Sequence, residues 1–272
     1  MTWGGRPLAD AQLDQAECWS RAAERYEEDF VNPYRSGVRN PLRPTLKKLA
    51  GRTHRTVADL GCGTGPLLPF LAEHFERVLA IDFAENMLKR ARERCRGFEN
   101  IRFVQRSLTD LSEISGSVDV AVAVNSLIMP DLDELERVLT AIHGKLQPGG
   151  SFLGIVPAMD GVHYQTMLLV DRARQRGMPQ SAARKNAAQL GEHELFDFTF
   201  SEFRYRGLVQ HFWQPFEISY RLRQVGFEKV RVKKLPLTWE QCSCGADLKA
   251  HPPPWDWFFQ AQKQVDTSEA NG

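Results

Sequence analysis

The 272-residue chain contains no run of eighteen apolar residues, so no segment reads as a membrane-spanning helix. Its opening stretch, MTWGGRPLADAQLDQ, lacks the apolar core of a secretory leader. Neither charge is in excess: 35 basic side chains meet 34 acidic ones, a formal net charge of +1. Phosphate-binding surfaces usually leave a basic surplus, so composition gives no electrostatic reason to expect nucleic acid, leaving only a local patch to serve it. Cysteine is sparse. The five are scattered and odd in number, which fits reduced thiols better than a disulfide frame. There are no internal repeats and no low-complexity tract. What remains is an expectation of a cytosolic protein with one large domain, or one domain carrying an insertion.

Several rhythms are present. Asp10 can cap a helix over 10–30 in which Trp19, Ala23, Tyr26 and Phe30 recur at helical spacing. From Thr56 onward, short apolar runs alternate with amphipathic ones. TVADL, RVLAID, IRFVQ, VDVAVAVN and SFLGIVP read as strands. AENMLKRARERC and DLDELERVLTAIHGKL read as helices, and Gly65-Pro66 reads as the opening of another. Such alternation implies a parallel sheet with helical crossovers. After Pro157 it breaks. Residues 158–213 hold two helical stretches, then the aromatic-rich LFDFTFSEFRYRGLVQHFW. The helix PFEISYRLRQVG, the strand EKVRVKKL and a last apolar run, WDWFFQAQK, follow.

Gly61, Gly63 and Gly65 stand at alternate positions directly after the first strand, in DLGCGTG. Glycines at the carboxyl end of a parallel strand, feeding a helix, let a ligand approach backbone N–H groups and the positive helix end. A dinucleotide fold requires G-x-G-x-x-G; here the third position is Pro66, so that fingerprint fails.

DLGCGTG resembles the first motif of the class I S-adenosylmethionine-dependent methyltransferases. Asp82, ending the second strand, resembles the acid that in this family holds both ribose hydroxyls, and LQPGGSFLGI resembles the family's turn before the fifth strand. The resemblance covers roughly 50–157 and 215–263. It implies an α/β fold: a doubly wound, mostly parallel seven-stranded sheet, Rossmann-like, with an inserted helical and aromatic lid. Its implied divisions are an N-terminal helical segment over the cofactor site at 1–50, a core at 51–157 and 214–265, a substrate lid at 158–213 and a flexible tail at 266–272. S-adenosyl-L-methionine is the implied cofactor. Gly61, Cys62, Gly63 and Gly65 lie beside its methionine part with Asp59 nearby. Phe83 and Met87 pack on the adenine, and Ser107 and Leu108 flank its other side. Asn125 sits close to the transferred methyl. Many members have an aspartate where Ser107 stands, accepting from the exocyclic amine; a hydroxyl accepts more weakly.

The acceptor is read more coarsely. The asparagine-proline-proline-aromatic signature of amino-nitrogen methylation is absent, since NSLI follows the fourth strand, and no proline-cysteine pair appears. The aromatic insert points to a small, partly apolar acceptor, contacted by Tyr26, His163, Tyr164, His211 and Trp213. The alternatives are methylation of RNA or protein, or a cofactor-binding partner protein that transfers nothing. No general base is singled out. Cys242 and Cys244 with His251 have the wrong spacing for zinc and no second pair, so a loop of free thiols is expected and no metal.

Overall fold

The computed structural model describes residues 19, 32–51, 56–112, 114, 116–190, 195–197, 200–205, 208–242 and 248–265. Helix α1 (Leu42–Ala50) precedes β1 (Thr56–Leu60), α2 (Leu68–His74), β2 (Arg77–Asp82), α3 (Glu85–Arg94) and β3 (Ile101–Gln105). Strand β4 (Val118–Val124), α4 (Leu132–Lys145) and β5 (Leu146–Pro157) complete the alternating part. The insert follows as α5 (Met159–Gln175), α6 (Gln180–Leu190), β6 (Leu195–Asp197), β7 (Glu202–Tyr205) and β8 (Leu208–His211). The chain closes with α7 (Pro215–Gln224), β9 (Phe227–Pro236) and β10 (Trp255–Lys263).

The seven-stranded sheet runs β3-β2-β1-β4-β5-β10-β9, parallel through β5. Strand β10 lies antiparallel to both of its neighbours. Being paired on both edges, it is buried along most of its length, which is why WDWFF is apolar nearly throughout. Both sheet faces are covered. One carries Leu135, Val138 and Ile142 of α4 and Ile218 and Leu222 of α7 against Phe152, Phe227 and Phe259. The other carries Leu42 and Leu46 of α1, Leu68 and Leu71 of α2 and Leu88 of α3 against Val57, Val122, Leu153 and Ile155.

Three local expectations change. The helix after the glycine turn starts at Leu68, not at Gly65, because Gly65 takes φ +74° and belongs to the turn; Pro69 occupies the first helical turn instead. Strand β5 begins at Leu146 rather than Ser151, with a register shift against β4 between Val118 and Val120. The aromatic tail of the insert is an antiparallel three-stranded sheet, β6-β7-β8, so the insert holds two helices followed by a small sheet. Alternating Glu202-Phe203-Arg204-Tyr205 is strand-like, and Phe203 is buried.

The insert is rooted in the sheet by its two ends. Met159 N–H donates to Trp213 O (3.1 Å) and Trp213 N–H to Pro157 O (2.8 Å), beside a bridge between Ala158 and Trp213. Residues 266–272 and nearly all of the helix read at 10–30, including Tyr26, lie outside the described residues; Trp19 within it is helical. Among the described residues no helix is long and apolar enough to cross a membrane. No group of three metal-ligating side chains occurs among the described residues. Cys242 is half-buried, its thiol donating to Thr238 O at 3.7 Å, and Cys244 falls outside what is described.

Candidate functional site

The carboxyl ends of β1, β2 and β4 meet at a cavity of about 270 Å³. Its floor is the turn after β1. Gly61 and Cys62 donate their N–H groups to Ile81 O of the adjacent strand (2.8 and 2.9 Å), tying the turn to β2. Gly61 takes φ +71°, and a Cβ there would meet Ser126 Cβ at 2.3 Å. No side chain fits: the turn after β1 and the residue after β4 are in direct contact, and Ser126 Oγ donates to Leu60 O at 2.6 Å. Gly65 (φ +74°) faces Ala91 of α3, where a Cβ would come within 3.0 Å of the alanine's own. The one glycine serves the cavity wall and the other serves helix packing.

Asp82 ends β2 and turns its carboxylate back to this floor. Gly63 N–H donates to Oδ2 (2.8 Å) and Ala84 N–H to Oδ1 (2.9 Å), fixing the group while leaving lone pairs on both oxygens. Burial raises its pKa, and the N–H groups of Ala84, Gly63 and Phe83 oppose that rise. Asp59 lies beneath, fully inside the fold; burial, reinforced by the charge of Asp82, pushes its pKa up to about 7. The Cys62 thiol is raised well above its ordinary value by burial and then by Asp59 and Asp82, so it stays protonated at neutral pH.

Of the eleven residues expected around the cofactor, Gly61, Gly63, Asp82, Phe83, Met87, Ser107, Leu108 and Asn125 line the cavity. Asp59, Cys62 and Gly65 stand behind the turn. Asn125 takes φ 53°, a left-handed conformation that asparagine tolerates better than most residues, and its N–H closes onto Ile155 O (2.8 Å). Trp19, Thr109, Ser126, Ile128, Met129, Glu134 and Val138 also line the cavity without having been singled out. Glu134 and Val138 had a readable signal: they are four apart on α4, so they share a face. The others had none, because only the packing of separate loops brings them together.

The four described residues expected at the acceptor do not line this cavity. Trp213 is a core residue, 2% exposed, and its indole N–H donates to Leu127 O (2.7 Å). His211 is 1% exposed, with Nε2 at 3.1 Å from Glu217 Oε1, and Arg221 Nε donates to the same oxygen at 2.7 Å. Burial opposes ionisation of Glu217, but hydrogen bonds and charge from His211 and Arg221 prevail and lower its pKa. Tyr164 stacks near Trp255 and donates its hydroxyl to Pro252 O (3.0 Å), and His163 is exposed on α5. Trp213 and His211 hold the wall from behind. With His211 N–H on Ile128 O (2.8 Å) and Trp213 on Leu127 O, the end of the insert clasps the loop 125–129.

A sheet ordered this way, a glycine turn and an acid at the end of β2 coincide with a family model for a methyltransferase domain that matches residues 57–150. Residues 57–150 form a methyltransferase domain, and the chain is similar to the class I S-adenosylmethionine-dependent methyltransferases. It is 31% identical over 135 residues to the trans-aconitate 2-methyltransferase of Deinococcus radiodurans, covering 49% of this chain and 50% of that one. It is 28% identical over 137 residues to the malonyl-[acyl-carrier protein] O-methyltransferase of Xylella fastidiosa, covering 50% and 45%. The chain thus spans about half the length of the curated relatives it matches. Among solved structures, the 1,6-didemethyltoxoflavin-N1-methyltransferase of Burkholderia thailandensis superposes with a TM-score of 0.63, covering 97% of this chain and 93% of that one. At 17% identity that likeness is one of methyltransferase fold.

Proposed function

We propose that the protein transfers a methyl group from S-adenosylmethionine to a nucleophilic atom of a small, partly apolar molecule. The observation that carries the reading is Asp82: a carboxylate fixed by Gly63 and Ala84 N–H groups, opening into a cavity floored by a turn too tight for side chains. Vicinal hydroxyls are the donors such a carboxylate suits, since its two oxygens keep acceptor capacity. The cavity is small, near the lower end for ligand sites, and suits one extended ligand.

In this reading Gly61 and Gly63 pass beside the amino-acid end of the cofactor and Asp82 holds the ribose. Phe83, Met87 and Leu108 enclose the base, and Asn125 stands nearest the reacting centre. When bound, the cofactor supplies a sulfonium methyl already activated for in-line attack. The chain's own part is then alignment of the acceptor and exclusion of water. Small-molecule acceptance is supported by the insert at 158–213 and by the substrates named for the relatives, trans-aconitate and 1,6-didemethyltoxoflavin. The acceptor is taken to lie against Ser126–Met129, the wall clasped by the insert. Among the described residues of the insert, Trp213 and His211 serve as the support of that wall.

Titration calorimetry with S-adenosylmethionine, S-adenosylhomocysteine and NAD tests the first half: the two sulfur ligands should bind and NAD should not. Tight NAD binding, or none of the sulfur ligands, ends the reading. A metabolite extract incubated with methyl-labelled cofactor tests the second half, and label found only in RNA or protein would overturn the small-molecule acceptor.

A further inference from the structure

The cavity has two acids among its described lining residues, and the function proposed above uses only Asp82. The second, Glu134, comes from the first turn of α4. Asp131 caps that helix, its Oδ1 accepting the N–H groups of Asp133 (2.8 Å) and Glu134 (3.1 Å). A glutamate at the third helical position commonly turns back toward the cap. Here it lines the cavity together with Val138, one turn further on. Val138 shares a core cluster with Leu108, which follows β3 and lines the same cavity. Glu134 and Val138 of α4 and Ser107, Leu108 and Thr109 after β3 thus line one cavity. The other acids of this stretch, Asp133 and Glu136, are exposed.

Ser107 keeps at most one acceptor lone pair for a bound base. It is exposed, its Oγ accepts Thr109 N–H at 3.2 Å, and it lies 2.9 Å from Thr109 Oγ1. The hydroxyl is engaged within its own turn. A purine held between Phe83, Met87, Leu108 and Val138 has its ring faces satisfied by apolar contact, while its exocyclic amine still needs an acceptor. An amine donor buried without one weakens binding by about tenfold or more.

Resting on the proposed function, we infer that Glu134 accepts a hydrogen bond from the exocyclic amine of the cofactor's adenine and makes the site selective for adenine over a 6-oxo purine. The adenine amine donates to the carboxylate. The 6-oxo group of hypoxanthine is itself an acceptor and would meet the carboxylate with like polarity.

The test compares S-adenosylhomocysteine with S-inosylhomocysteine on the full chain, read by calorimetry or by the fluorescence of Trp19 in the cavity wall. The unmodified protein should prefer the adenosyl ligand by about tenfold or more. Glu134→Ala should bring the two affinities within about threefold of each other, mainly by weakening the adenosyl ligand. Glu134→Gln, whose amide can donate to the 6-oxo group, should move the preference toward the inosyl ligand. Asp133→Asn removes a charge from the same helix turn and should leave the ratio unchanged. An unchanged ratio in folded Glu134→Ala, or equal loss of both ligands, would overturn the assignment. If the unmodified protein bound neither ligand, the proposed function would fall and this inference with it.

Discussion

Asp256 should make this protein less stable as the pH rises through neutrality, and Asp256→Asn should remove its share of that dependence. The residue lies on β10 between Pro157 and Leu235, 6% exposed, with its carboxyl on the N–H of Ala158 where the insert leaves the sheet. Burial pushes its pKa from 3.8 up to about 7, against the pull of that one N–H. The folded state therefore holds a proton that the unfolded chain has released between these two values. The stability this group contributes is fully present below about pH 4, falls as pH rises through the window and is gone above about pH 7. Between pH 5.5 and 8.0 the loss is about 2 kcal/mol for such a group, and across the whole window about 4 kcal/mol. Asp59, raised to about 7 by burial and Asp82, contributes a second decrease of the same sign. Urea unfolding of the unliganded protein should thus show about 4 kcal/mol less stability at pH 8.0 than at pH 5.5. In Asp256→Asn, which keeps an oxygen for Ala158, the drop should be about half of that. At pH 8.0 the variant should also be the more stable protein, by about 1–3 kcal/mol once its buried amide N–H is counted. Cofactor affinity should not change, because Asp256 does not line the cavity. Equal pH slopes for the two proteins would refute the argument.

Three further outcomes are expected. Asp82→Asn keeps one acceptor oxygen but sets an N–H₂ against the N–H of Gly63 or Ala84, so S-adenosylhomocysteine affinity should fall at least tenfold, about 1.4 kcal/mol or more, by calorimetry; unchanged affinity in a folded variant would reduce Asp82 to a helix-capping role. Gly61→Ala forces a methyl group onto Ser126 and a side chain onto φ +71°, costing about 1–3 kcal/mol in thermal unfolding and abolishing ligand binding; a variant that binds normally would mean the turn can rearrange freely. Trp213→Ala should cost about 3–5 kcal/mol in urea unfolding, because it empties core volume and orphans Leu127 O, whereas a residue that merely touched an acceptor would leave stability nearly intact.

The alternating core was legible because its signals are local. TVADL and RVLAID are apolar, β-branched and short, and the strands they form occupy Thr56–Leu60 and Arg77–Asp82. The glycine turn and Asp82 were legible for the same reason, since a left-handed backbone and a strand-end acid are written in one or two residues each. The aromatic tail of the insert was harder. Its seven aromatics suggested a pocket, yet aromatics that pack a small sheet and plug a sheet edge look the same in sequence as aromatics that line a cavity.

What the chain's order of residues determined by itself was the doubly wound core, the floor of the cavity and the family, all announced by local patterns of residue type. What only the tertiary structure decided was which distant side chains share that cavity. Ser126 meets Gly61 across 65 positions, and Glu134 and Leu108 line one cavity from separate elements. Trp213 and His211 reach back over 80 residues to hold Leu127 and Ile128. Such contacts depend on sheet order and on how helices seat against it. No local periodicity encodes them, because the same amphipathic pattern is compatible with many neighbours.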